Sequence, residues 1–239
     1  MLGRFHEISI ATPDIRASVE FYESLGFIQA PTTDTRQHPY GVLTDGRLSI
    51  GLHDARFASP ALTFVRPGIA SHLAEFADRG IELDFCRVGD ETFNEIGFRD
   101  PFGQAVQILE ARTYSPAAVE TESASLCGYF AEVSLPLTDF DAGRMFWEPL
   151  GFVAAEESDE PYVHLTLTSD YLDIAFHRPR TLDRPVLVFH DPDMAARIAA
   201  LRAAGIDFST ELPRGLSATR NALLESPEGT LLLLLNAAD

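Results

Sequence analysis

The sequence predicts an α+β protein built from tandem duplicated βαβββ units, four in all, and two observations carry that expectation. The first is an internal repeat. Residues 7–27 read EISIATPDIRASVEFYESLGF and residues 132–152 read EVSLPLTDFDAGRMFWEPLGF. They stay in step at a constant offset of 125, which puts Glu7 on Glu132, Asp14 on Asp139 and Leu25-Gly26-Phe27 on Leu150-Gly151-Phe152. A repeat of that length in 239 residues implies a duplicated domain. The second observation is a change of hydrophobic period, from two to about 3.6 and back to two, which occurs twice within each half.

Taken in order, His6, Ile8 and Ile10 alternate with Glu7, Ser9 and Ala11, the period of a strand with one apolar face. Asp14 is placed to cap a helix on which Ile15, Val19 and Tyr22 share a face, and Gly26 suits its C-terminal end. Short strands are expected over 27–31, 40–44 and 48–53, with Asp45-Gly46 as a hairpin turn. A second unit of the same order begins at Ala61. Its helix carries Ile69, Leu73 and Phe76 and stops at Gly80, and strands follow over 83–88, 93–99 and 105–109. Residues 111–128 are small and polar without an apolar period, so domains over 1–112 and 128–239 joined by a linker at 113–127 are expected. The second half repeats the first, and its last strand, LLLLLN, is apolar on both faces, as in a strand buried between neighbours.

Composition narrows the function. Thirty-six acids against 18 basic residues give a net charge of −18, which repels phosphate backbones and anionic membranes. Nucleic acid and membrane are therefore not expected partners, and a small cationic molecule would be attracted. The two cysteines, Cys86 and Cys127, form no CxxC pair, so neither a disulfide framework nor a zinc knuckle is expected. With no apolar run of membrane-spanning length and no leader pattern, a cytoplasmic location is the expectation. The chain lacks GxxxxGK[ST], GxSxG and HExxH motifs, which leaves phosphoryl transfer, serine hydrolysis and zinc proteolysis without support.

A strand, an aspartate opening a helix, FYESLGF closing it and a later Asp100-Pro101-Phe102-Gly103 turn into a last strand resemble the vicinal oxygen chelate superfamily. It includes glyoxalase I, bleomycin-resistance and fosfomycin-resistance proteins and extradiol dioxygenases. The resemblance spans both halves and implies cupped mixed β-sheets around a small-molecule cavity, with helices outside. It also implies a divalent metal, held by side chains from the first and last strands of a module and the corresponding strands of another. Carried onto this chain, those positions are Glu7, Gly51, Ala61 and Gln107 in the first half and Glu132, Ala175, Val186 and Leu233 in the second. Gly, Ala, Val and Leu offer no side-chain donor, and a metal with an open coordination position needs about three. Glu7, Glu132 and Gln107 remain as weak metal candidates, and no cofactor is expected, with a divalent metal as the alternative.

The other site candidates follow from strand alternation. His53 and His177 lie two residues beyond Gly51 and Ala175, on the same face, where either could act as acid or base with Glu7 or Glu132; a histidine ending a strand is equally at home on a solvated rim. Glu7 and Glu132, on central strands facing an apolar cavity, need a cation or hydrogen-bond donors. Tyr40 and Tyr162, each after a proline, are expected at matching places as ligand-binding hydroxyls. His6 should face away from Glu7. His164 aligns near Val42 and His190 with Val65. The expected function is binding of a small organic molecule, cationic or aromatic, by a glyoxalase-, bleomycin-resistance- or dioxygenase-like protein with degenerate metal sites, acting as a monomer of two fused domains or as a homodimer. The alternative is a lyase, isomerase or dioxygenase with a reduced or displaced site.

Overall fold

The computed structural model describes residues 2–31, 38–111 and 125–236. In the first half, β1 (Arg4–Ala11) leads into α1 (Ile15–Ser24), then β2 (Ile28–Ala30), β3 (Tyr40–Thr44) and β4 (Ser49–His53). The second unit runs β5 (Ala61–Val65), α2 (Ile69–Asp78), β6 (Leu83–Arg87), β7 (Glu95–Arg99) and β8 (Ala105–Leu109). The second half gives β9 (Tyr129–Pro136), α3 (Phe140–Trp147) with a 3-10 turn over Glu148–Leu150, β10 (Val153–Ala154), β11 (His164–Thr168) and β12 (Ile174–His177). It ends with β13 (Val186–Asp191), α4 (Met194–Ala203), β14 (Ala222–Glu225) and β15 (Leu231–Asn236). Asp14 and Asp139 cap their helices as the repeat requires, accepting from the Ala17 and Ala142 amides.

Each half forms its own mixed sheet, in the orders β2-β3-β4-β1-β5-β8-β7-β6 and β10-β11-β12-β9-β13-β15-β14. One face of each packs against helices. Ile8, Ile10, Leu62, Phe64, Phe98 and Ile108 of the first sheet and Leu187, Phe189, Leu232 and Leu234 of the second join one core cluster that spans both halves. The opposite faces form the cups. The sheets differ by one strand, because the chain between α4 and β14, interrupted by Pro213 and Gly215, builds no counterpart of β6. Most of the expected linker lies outside the described residues. Its end, Ser125 to Cys127, is packed rather than loose, with the Leu126 amide donating to Leu25 O at 2.8 Å and both Ser125 and Cys127 buried.

The halves also clasp each other reciprocally. Trp147 on α3 donates its indole N–H to Asp100 Oδ2 (3.1 Å), in the turn before β8. Tyr22, the equivalent residue on α1, donates its hydroxyl to Glu228 Oε1 (2.9 Å) in the turn before β15, and Ser18 donates to Glu228 Oε2 at 2.8 Å. No helix among the described residues is long and apolar enough to cross a membrane.

Candidate functional site

The floor of the first cup is a row of cross-strand neighbours, Phe85, Gly97, Gln107, Thr63 and Glu7, one each from β6, β7, β8, β5 and β1. Beside it on β1, Ser9 pairs with Gly51 and Ala61. The Glu7 side chain is fully buried and lies over Gly51, where a Cβ would sit only 2.4 Å from its Oε1. Glycine there permits this close approach, and a side chain would have to displace the carboxylate.

Four neighbours hold the carboxylate. Ser9 donates to Oε1 at 2.8 Å and Tyr40 to Oε2 at 2.5 Å, His53 Nε2 lies 3.2 Å from Oε1, and His6 Nε2 lies 3.8 Å from Oε2. Burial alone would raise the Glu7 pKa, but the His53 hydrogen bond, the charges of His6 and His53 and the Tyr40 hydroxyl together lower it below its ordinary value. Glu7 is thus an anion at neutral pH. An ionised carboxylate only accepts, so His53 Nε2 donates to it, and His53 Nδ1 lies within hydrogen-bond distance of His38 Nε2 at 2.9 Å, with the direction of that bond set by the protonation of the pair. The result is a hydrogen-bonded chain, Glu7–His53–His38, running from the buried floor to the cavity wall. That chain can take up or release a proton at the wall while Glu7 balances the imidazolium charge.

Above it opens a cavity of about 390 Å3 lined by His38, His53, Arg56, Phe57, Phe85, Arg87, Arg99 and Gln107, among others. Phe57 meets the His53 ring edge-on at 5.5 Å. The Phe85 ring fills the space a Gly97 side chain would need, since a Cβ there would lie 2.2 Å from the ring.

The second cup is closed. Glu132 pairs with Val188, and the row continues through Leu233 and Leu223, so the places of Thr63, Gln107 and Gly97 are taken by bulky apolar side chains. Val186, Val188, Leu223, Leu231, Leu233 and Leu235 cluster there with Tyr162 and Leu182, and Leu212 and Leu216 from the strandless segment pack onto them. Glu132 accepts from Thr166 Oγ1 at 2.9 Å, and burial raises its pKa. His177 is turned away from it, bonded to Ser134 Oγ (2.8 Å) and to Leu182 O (3.0 Å), and burial pushes its pKa down to about 4.

Of the residues singled out in the sequence, the structure therefore brings Glu7, Tyr40 and His53 together and puts Gln107 in the same cup. Because each sheet comes from one half, Gln107 shares its cup with Glu7 rather than with Glu132. Neither His53 nor His177 lies on a solvated rim; both are buried.

Three expectations are corrected. His6 does not face away from Glu7, because a β-bulge between Phe5 and Glu7 interrupts alternation and swings Phe5 toward Phe64. Tyr162 does not match Tyr40: strand register sets His164 opposite His177, as Tyr40 is opposite His53. Tyr162 instead covers the second cluster, with its ring 6.4 Å from His177. Thr166, not His164, takes the place of Val42, since they pair with Ala175 and Gly51 respectively. Sequence reasoning missed His38, Arg56, Phe57 and Phe85. Only His38 left a signal, two residues before Tyr40 and so on its face.

No protein-family model matches the chain, and no curated protein matches it by sequence. Solved structures do. A catechol 2,3-dioxygenase superposes with a TM-score of 0.60 at 14% identity, covering 97% of this chain and 87% of that one. Homoprotocatechuate 2,3-dioxygenase from Arthrobacter globiformis gives 0.64 at 16% identity, covering 97% and 79%. These extradiol dioxygenases belong to the vicinal oxygen chelate superfamily. The fold is the duplicated βαβββ fold of that superfamily. At such identities the likeness establishes the fold alone.

The metal that the superfamily implies does not fit the residues present. Among the described residues no group of three His, Cys, Asp or Glu is arranged to hold an ion. In the first cup the Glu7 carboxylate occupies the space beside Gly51 where a ligand from β4 would stand, and its oxygens are already taken by Ser9, Tyr40 and His53. Ala61 offers no donor. In the second cup Ala175, Val186 and Leu233 offer none.

Proposed function

We propose that this protein binds one small, ring-containing organic molecule in its N-terminal cup without a resident metal, and that the C-terminal cup serves as scaffold. The observation that carries this reading is the contrast between equivalent cups: one keeps an open cavity of about 390 Å3 over polar groups, and the other is packed with leucine and valine. A cavity of that size suits a monocyclic ligand, and the mix of aromatic walls with a few polar groups is usual for small-molecule sites. The likeness in fold to ring-cleaving dioxygenases is compatible with such a ligand. A recess of about 240 Å3 between the halves is a weaker site, because its polar groups are already used: Asp100 accepts from Trp147, and Gln104 donates to Pro60 O and Ala105 O.

The Glu7–His53–His38 chain supports a second reading, in which the same cup is an acid–base enzyme of the isomerase or lyase class. A buried glutamate kept ionised beside two histidines at a cavity is a costly arrangement that catalytic sites use. His53→Gln separates the two readings. It preserves ligand affinity if the cup only binds, and it abolishes turnover while leaving affinity within about threefold if the chain moves protons.

The binding reading is tested by ligand-observed NMR with monocyclic aromatics of different charge, on wild type and on Gly97→Leu, which copies Leu223 and drives the Phe85 ring into the cavity. The reading expects binding to wild type that is lost in the variant. Retained binding in a folded Gly97→Leu protein would contradict it.

A further inference from the structure

The cavity also holds information about the charge of its ligand. Among the described residues three arginines line it, and two are neutralised in place: Arg87 donates to Glu95 Oε1 at 2.6 Å, and Arg99 to Asp84 Oδ2 at 3.0 Å. Arg56 has no ion-pair or hydrogen-bond partner among the described residues. Asp84 and Glu95 are the only acids among the described lining residues, so that part of the wall carries one uncompensated positive charge. The Glu7 charge lies beneath the wall and is held by His53, Tyr40 and Ser9. This local sign runs against a chain of net charge −18, in which 36 acids face 18 basic residues.

The remaining lining fits a flat ring. Phe57 and Phe85 are half-buried cavity-lining residues, and Gly97, lacking a side chain, lets the Phe85 ring lie close over the sheet. The Gln107 amide has no hydrogen-bond partner among the described residues and faces the same space. One free guanidinium matches a monoanion, and its planar fork matches a carboxylate. A phosphate monoester, near −2 at neutral pH, would leave a charge uncompensated in the cavity.

Resting on the binding reading above, we propose that the N-terminal cup is selective for an aromatic carboxylate, with the carboxylate on Arg56 and the ring against Phe57 and Phe85. The net charge alone suggests a cation; the wall of the cavity selects the opposite sign.

Isothermal titration with phenylacetate, phenylacetamide and phenethylamine, which share a ring and differ in charge, tests this. The acid should bind at least about tenfold more tightly than the amide, with the amine weakest. Arg56→Ala should erase that preference, and Arg56→Lys should keep part of it, because the charge remains while the fork is lost. Arg56 is exposed, so neither change threatens the fold. The proposal is overturned if the amide or amine binds wild type as tightly as the acid, if Arg56→Ala retains the preference, or if phenylacetate shows no binding at about 10 mM, the weak end expected of a fragment. Binding of all three compounds that ignores charge yet vanishes in Gly97→Leu would sink the carboxylate assignment and leave the cavity reading standing. Binding that persists in Gly97→Leu would sink both.

Discussion

Glu7 and Glu132 occupy equivalent positions in the repeat and meet opposite electrostatics. The pKa of Glu7 is lowered in the fold, so its contribution to stability is present above the unfolded carboxyl pKa and is lost as pH falls through the folded value. The pKa of Glu132 is raised, chiefly by burial, so its contribution is present only at low pH and is lost as pH rises through the folded value. In urea denaturation at pH 7, Glu7→Gln should therefore cost about 2–4 kcal/mol, because His53, Tyr40 and Ser9 lose their anion. Glu132→Gln should be neutral or stabilising by up to about 1 kcal/mol, since the amide can still accept from Thr166. Equal destabilisation by both would contradict the assignment. His177, with its pKa held near 4, stays neutral in the fold while the unfolded histidine protonates. Stability should therefore fall by roughly 1.4 kcal/mol per pH unit for this group between the unfolded value and about 4, and His177→Asn should flatten that slope. Glu7, Tyr40 and His53 were legible because alternation along strands fixes the face of a residue. His6 was misplaced because a one-residue bulge leaves no mark in the sequence, and Arg56 and Phe57 sit on a loop whose path alternation does not govern.

At the level of elements, the cups diverge where the second half loses a strand. In the first half β6 brings Phe85 over Gly97 at the open edge of the cup. In the second, the chain after α4 carries Pro213 and Gly215 instead of an alternating run, and it folds Leu212 and Leu216 onto the leucine row. Truncating both to Ala should remove apolar burial worth about 2–4 kcal/mol in all, read as a lower midpoint in urea with an unchanged slope. An unchanged midpoint would mean that these leucines do not seal the cup. The LLLLLN run was readable as a strand buried on both faces, and its alternate leucines do divide between the central core and the second cluster. The absence of a strand before β14 was not readable in the same way, because residue spacing in the repeat stays nearly constant while the turn chemistry changes. The four-unit pattern predicted the fold, and the loops between its elements decided which cup stayed open.

For the whole molecule, the reciprocal clasps make the halves depend on each other. Tyr22 and Trp147 are both fully buried and both donate to an acid from the opposite half. Tyr22→Phe and Trp147→Phe should each cost about 1.5–3 kcal/mol, the range for hydrogen bonds to charged groups. At this chain length that lowers the melting temperature by about 3–12 °C, and the transition should remain single. Two separated transitions in either variant would show that the halves fold independently. The duplication itself was visible from the first repeat, but the clasps join residues about 50 to 200 apart in sequence and were not visible. The central claim is that this fold here carries a small-molecule cup without its chelate, and metal content tests it most directly. Protein purified without chelators is equilibrated separately with Fe(II), Mn(II), Ni(II) and Zn(II), freed of excess ion, and assayed for metal per chain. The structure predicts far less than one equivalent of each, unchanged in Glu7→Gln; one tightly held equivalent that disappears in Glu7→Gln would contradict the account.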